Sequence, residues 1–457
     1  MSGTSNPALA GRLRAAVDGR VLEPGDDGFE EACAVFLAGM DQRPAVVVQP
    51  AGAADVAAAV VAARDSGVPL AVKSGGHSPF ALAEGGVLVH LASLRALEID
   101  VESRTAWAGP GLTAGEFTKA AHEHGLALGF GDAGTVGVGG ITLGGGVGFL
   151  TRKQGLTIDN LLAVEIVTAD GRIRQVDADH EPELFWAVRG AGANFGVVTR
   201  FRFRLHELST VYGGLLVLPA TPEVVAEYAE LALAAPEELT TIGNVYVAPP
   251  LPFIPEDKVG TPVLHVMVVH AGGGEAAERA VAPFRGLATP IADTVAHIPY
   301  PDMYEDEEEY GGHIATGRSL FVDQVTVADA KLVLDQLGES AADIAVVQIR
   351  PLGGAAARVP DDATAYAHRG RDFMVNLAAL HSDLGNADEH RRWVTDLMVA
   401  LQQGVPGVYV NFLEEDSEAR VREAYPPATW ARLRAAKRVY DPANLFRVNS
   451  NIPPADA

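Results

Sequence analysis

The chain of 457 residues holds a single cysteine, Cys33. An internal disulfide is therefore excluded, as is any cysteine-rich metal site. Lysine is also scarce: six of the 35 basic residues are Lys, the bias of a GC-rich bacterial genome. A cytoplasmic bacterial protein is the expectation. Positive charge is outnumbered throughout, and the formal net charge is -24. Nucleic-acid binding needs clustered Lys and Arg, so no such partner is expected. Docking on anionic membrane surfaces is disfavoured for the same reason. A polyanionic substrate would be repelled at long range, whereas a neutral or cationic small molecule fits. No apolar run approaches the roughly 20 residues that cross a bilayer. Met1 to Ala10 has neither a basic start nor a long apolar stretch, so no secretory leader is expected.

What remains is the balance of a globular protein, with 48% hydrophobic and 21% charged residues. The length predicts two or three domains. In the first third, strand-like and helix-like pieces alternate. Ala45–Val48 reads as a buried strand, Asp55 as the N-cap of an Ala/Val-rich helix that Gly67 stops, and Val68–Val72 as the next strand. Val87–Leu91, Thr105–Ala108, Leu161–Thr168 and Phe195–Leu205 also read as strands. Ten of the twenty positions from 129 to 148 are Gly, a density that predicts loops in unusual dihedrals. From about residue 207, Pro-flanked helical stretches (Pro222–Ala235, Gly274–Leu287) alternate with apolar strands such as Val263–Val269. Glu305–Glu309 reads as a solvated acidic loop. Val408–Phe412 reads as a strand, and a helix is expected near Thr429–Lys437.

Glycine-rich turns let backbone N–H groups approach phosphate oxygens with no Cβ in the way. Two such stretches, Lys73–Ser78 and Gly129–Gly148, point to a long phosphate-bearing cofactor; sets of tight turns are the alternative. Gly129-Phe-Gly-Asp-Ala-Gly134 matches the Rossmann spacing but runs into more glycine, and no acidic residue stands about 20 positions on. His77 sits inside the first turn. No second His lies at metal-ligand spacing, since His90 is in an apolar strand and His122 and His124 lie on a helix, so no metal is expected.

Several motifs occur in one order. They are Lys73–Ser78, Gly134-Thr-Val-Gly-Val-Gly-Gly-Ile-Thr-Leu-Gly-Gly-Gly146, Arg152–Asn160, Phe185–Gly190 with Asn194-Phe-Gly196, Tyr409-Val-Asn411 and Tyr440-Asp-Pro. Together they resemble the berberine-bridge-enzyme-like branch of the vanillyl-alcohol-oxidase flavoproteins, from about Arg43 to Pro453. The resemblance implies an α+β fold: a two-subdomain PCMH-type FAD-binding domain over 1–206, a substrate-binding domain over 207–404 with an antiparallel sheet backed by helices, and a C-terminal return over 405–457. It implies FAD bonded through His77, and through His77 alone, because Ala133 stands where doubly linked members carry Cys. Cofactor contacts are implied for Val72, Lys73, Ser74, Gly75, Gly76, His77, Ser78, Thr135, Val136, Gly137, Gly139, Gly140, Gly144, Gly145, Gly146, Gly148, Val197, Val198, Tyr409, Asn411 and Asn449.

The implied activity is an oxidase: hydride transfer from an alcohol, sugar or secondary-metabolite hydroxyl to flavin N5, with O2 reduced to H2O2. Val136 stands where a small residue controls oxygen access and resembles the oxygen-reactive members. A dehydrogenase, an oxygenase of natural-product biosynthesis, and a flavin-bound binder without turnover are the alternatives; the Arg358–Tyr366 stretch resembles an actinobacterial natural-product enzyme of the family. Tyr409 is the candidate base, with Asn411 on the same face of the expected strand. A phenol titrates near pH 10, so neighbours must tune it. Close bacterial relatives place a carboxylate where this chain has Gln348, two residues before Arg350. Gln348 can only orient, and Arg350 can lower a phenol pKa or bind an acidic or carbonyl group. Tyr246 is a candidate for the pocket wall, while His368 and Arg369 are assigned to domain contacts. Oligomeric state is left open.

Overall fold

The computed structural model describes residues 6–304, 314–382, 384–414 and 417–456. The acidic run at 305–309 lies outside these. The first sheet has the order Arg20–Leu22, Val46–Gln49, Val87–His90, Leu70–Lys73, the last three parallel. Strands of a parallel sheet are covered on both faces, which is why Val46-Val-Val and Val87-Leu-Val are apolar without alternation. The second sheet is antiparallel: Leu97–Asp100, Thr105–Ala108, Val197–Arg204, Leu161–Val167, Ile173–Asp177. Here alternation returns. Phe201 and Phe203 point into a core with Phe117 and Phe130, while Arg202 and Arg204 face water.

The third sheet spans residues 210–381 and is antiparallel, with Leu239–Val247, Ile344–Pro351 and Phe373–His381 side by side near its centre. Val245, Val347 and Leu377 line up on one face and pack against the helices Pro222–Ala234, Val327–Glu339 and Ala387–Leu401. The opposite face carries Asn244, Gln348 and Asn376 in register. This polar row is what the sheet presents to the first two sheets. The chain then returns: Pro427–Tyr440 packs into the core of the second sheet. No described helix is long and apolar enough to cross a membrane.

Three expectations are corrected. The helix expected from Asp55 is Ala53–Ser66 with Gly52 at its N-cap, and Gly67 in the left-handed region ends it. Asp55 lies within its first turn, where the carboxylate accepts the amides of Asp18, Gly19 and Ala51. The glycine-rich segment is not all loop, because Val138–Gly144 is helical. Close packing there overrides the poor propensity of glycine: a Cβ on Gly144 would overlap the Asn411 amide, and one on Gly139 would press on Pro110 and Ser74. Val408–Phe412 is not a strand either; Tyr409 is extended and Val410–Phe412 forms a single 3₁₀ turn.

Candidate active site

The two glycine-rich stretches meet. A Cβ on Gly75 would overlap the Gly137 amide, and one on Gly137 would overlap that of Gly75, so only glycine allows this backbone contact. They form one wall of a cavity of about 490 Å³. Val72, Val136, Gly139, Gly140, Val197, Val198, Tyr409, Asn411 and Asn449 also line it, together with all of Lys73 to Ser78. Thr135, Gly145, Gly146 and Gly148, expected at the cofactor, are not in its lining. Gly146 instead lies against the Thr157 side chain, Gly145 against the rings of Tyr366 and Tyr409, and Gly148 against Gly131. Thr135 is exposed, and its carbonyl accepts a hydrogen bond from the His77 ring.

His77 stacks on Phe36, centroids 4.2 Å apart and planes 17° from parallel. Burial pushes its pKa down to about 4, against the opposing hydrogen bond to Thr135. The imidazole is neutral at pH 7, with one nitrogen committed to the Thr135 carbonyl and the other bearing a lone pair. Lys73, at the start of the same turn, does not offer a cation to the cavity, because Nζ donates to the carbonyls of Ala32 and Ala34. Burial lowers its pKa.

The amides of Gly75, Gly76, His77 and Ser78 find no protein acceptor among the described residues. A Cβ on Gly140 would meet open space. At the far wall the buried Asn449 Oδ1 has no hydrogen-bond partner, while its Nδ2 is held by the carbonyls of Ala193 and Phe446. Free donors for a diphosphate and a free acceptor for a polar cofactor edge suit FAD.

Tyr409 is buried, and its hydroxyl accepts from Gly146 N and Asn411 Nδ2, both at 2.9 Å. Asn411 is brought to Tyr409 by the turn rather than by strand alternation. The expected downward tuning of Tyr409 does not prevail. Burial raises its pKa, outweighing the opposing effects of Gly146, Asn411, Val147 and, weakest, Arg350. Tyr409 rests as a neutral phenol with its lone pairs engaged, a geometry for donating rather than accepting a proton.

Neither Gln348 nor Arg350 lines the cavity. Arg350 Nη2 instead pairs at 2.6 Å with Asp132, which does line it, and Arg350 Nε donates to Gln348 Oε1 at 2.6 Å. Gln348 Nε2 in turn donates to Asn244 Oδ1. Tyr246, on the same sheet face as Asn244, is not in the cavity lining; it hydrogen-bonds His265 Nδ1 at 3.0 Å inside an apolar cluster with Val217, Ile254 and Val263. Sequence reasoning missed Phe36, Asp132 and Asn376. Asp132 stands in the Gly129–Gly134 stretch that was read only for its glycines; Phe36 and Asn376 carry no local signal. His368 and Arg369 do make contacts between distant segments, to the Glu423 carbonyl and to Asp159.

Residues 44–177 match the FAD binding domain model and residues 408–453 the berberine and berberine-like model. The chain is 33% identical to (R)-6-hydroxynicotine oxidase of Paenarthrobacter nicotinovorans, over 96% of this chain and 97% of that protein. It belongs to the berberine-bridge-enzyme-like family of FAD-linked oxidoreductases. Chitooligosaccharide oxidase of Gibberella zeae is 28% identical over 94% of this chain and 91% of its own. Among solved structures, 6-hydroxy-D-nicotine oxidase from Arthrobacter nicotinovorans superposes with a TM-score of 0.86 at 29% identity, covering 96% and 98% of the two chains. Xylooligosaccharide oxidase from Myceliophthora thermophila shares the fold, with a TM-score of 0.86 at 24% identity over 98% of this chain and all of that one. This berberine-bridge-like protein is thus an FAD-dependent oxidoreductase with the PCMH-type fold.

Proposed function

We propose that the protein is an oxidase of small organic hydroxyl compounds, with FAD joined covalently through His77 alone and O2 as the electron acceptor. The observation that carries the reading is His77 itself. It is a neutral, oriented imidazole at the cavity wall, stacked on Phe36 and holding one free lone pair. Ala133 lacks the thiol of a second link. FAD, when bound, supplies the two-electron acceptor that takes a hydride from the substrate carbon and returns the electrons to O2, giving H2O2. Val136 lies in the lining, and the resemblance of a valine at this position to the oxygen-reactive members favours O2 as the acceptor.

The protein's own residues bind and orient. Tyr409 donates its hydroxyl hydrogen toward the cavity, and Asn411 and Gly146 hold that hydroxyl in place. Gln348 and Arg350 act from behind the wall as positioning residues. The named activities of the relatives, on hydroxynicotine and on chitooligosaccharides, favour alcohols, amines and sugars as the compounds to try. Anaerobic reduction of the yellow protein by such a panel, followed by air, tests the reading. Fast reoxidation with stoichiometric peroxide supports an oxidase. Slow reoxidation marks a dehydrogenase, and no reduction by any compound marks a binder.

A further inference from the structure

We propose that Asp132 selects the substrate, its free carboxylate oxygen taking the hydrogen bond of an O–H or N–H donor on a compact, otherwise apolar molecule. The proposal rests on reading the cavity as the FAD and substrate site. Asp132 is the one carboxylate among the described residues that line the cavity. It comes from the glycine-rich side and meets the sheet strand that carries Gln348 and Arg350.

The pair it forms is one-sided. Arg350 is 4% exposed, and its guanidinium is committed to protein acceptors: Nε to Gln348 Oε1, Nη1 to the Val147 carbonyl, and Nη2 to Asp132 Oδ2. Each of its three nitrogens thus donates to the protein, and Arg350 itself does not line the cavity. Asp132 keeps Oδ1 unpartnered among the described residues, and its side chain is 21% exposed. The nearby wall of Val136, Val147 and Phe412 is apolar, with the Arg350 guanidinium 5.4 Å from the Phe412 ring centroid on its far side. What the cavity meets is therefore an acceptor alone, held rigidly by a buried cation.

An acceptor-only site discriminates strongly. A ligand that presents a carbonyl or carboxylate there sets lone pairs against a carboxylate, whereas an O–H or N–H satisfies it. An alcohol thus binds better than the carbonyl compound made from it, because oxidation removes the donor, and product leaves. The same oxygen receives the proton when the O–H bond breaks, its electron pair staying on the substrate oxygen.

Phenol and fluorobenzene test this, being similar in shape with only phenol able to donate, and neither being an oxidisable alcohol. Each is titrated into the holoenzyme while the visible absorption of the bound flavin is followed. Phenol is expected to bind at least about ten-fold more tightly than fluorobenzene, the worth of one hydrogen bond to a charged group. That preference should shrink to within about two-fold in Asp132→Ala. It should shrink equally in the Asp132→Ala, Arg350→Met double variant, which leaves no lone guanidinium buried to unsettle the fold. A preference kept in either variant, or missing from the wild type, overturns the proposal. A colourless protein counts against the FAD reading alone, and the same two ligands are then compared by calorimetry with the same expectation.

Discussion

Arg369 grips both oxygens of Asp159 at 2.7 Å, across 210 residues of sequence. Arg369 is 1% exposed as a side chain and Asp159 9%. The same aspartate accepts the Leu156 amide and so fixes the turn Thr157–Asn160 on which Gly146 rests. Removing one partner strands a buried charge. Arg369→Met should cost about 3–5 kcal/mol of unfolding free energy. Urea denaturation checks this; an unchanged midpoint would mean that the pair contributes nothing net.

His77 offers the cleanest chemical readout. Wild-type protein precipitated with acid should keep its yellow colour in the pellet, and His77→Ala should release the pigment to the supernatant. Phe36→Ala should lower the fraction retained, because the stacking partner that orients the ring is gone. Flavin fluorescence on a denaturing gel measures all three.

Tyr409→Phe deletes the hydroxyl that Gly146 and Asn411 hold. If that group orients substrate by one uncharged hydrogen bond, turnover should fall by roughly ten-fold. The ascending limb of the pH–rate profile should stay where it was, since burial keeps this phenol protonated. Loss of that limb would restore Tyr409 as the base.

Acid should loosen the fold before it unfolds it. Burial pushes both His90 and His265 down to about 4, the first aided by the neighbouring Lys73. Between pH 4 and about 6.5 the unfolded chain binds more protons at these sites than the folded one does. Their contribution is therefore complete above pH 6.5 and is lost as the pH falls toward 4. Melting temperature should drop over that interval, and less steeply in His265→Gln.

Much of the frame was legible because it rests on local patterns. Val46–Val48 and Val87–Val89 are uniformly apolar since both faces are covered, and Phe201 and Phe203 alternate with arginines since one face is wet. The two glycine-rich stretches were legible as a cofactor wall, but the close backbone contact between Gly75 and Gly137 was not, because nothing local joins positions so far apart. The helix Val138–Gly144 was not, because its stability comes from Asn411, Pro110 and Ser74 rather than from its own residues. Asp132 and Arg350 meet across 218 positions, and no local signal joins them. Tyr409 misled in one respect. Neighbours that lower its pKa were foreseeable from sequence, but the burial that outweighs them was not.

Asn194 Nδ2 donates to the Ser450 carbonyl and its Oδ1 accepts the Ile452 amide, while the wholly buried Lys437 holds the carbonyls of Asn194 and Phe446. Two segments 256 positions apart are thus knotted together behind the cavity wall to which Asn194 and Asn449 both belong. Loosening either strand of that knot should slacken the wall without altering a single glycine on the opposite side.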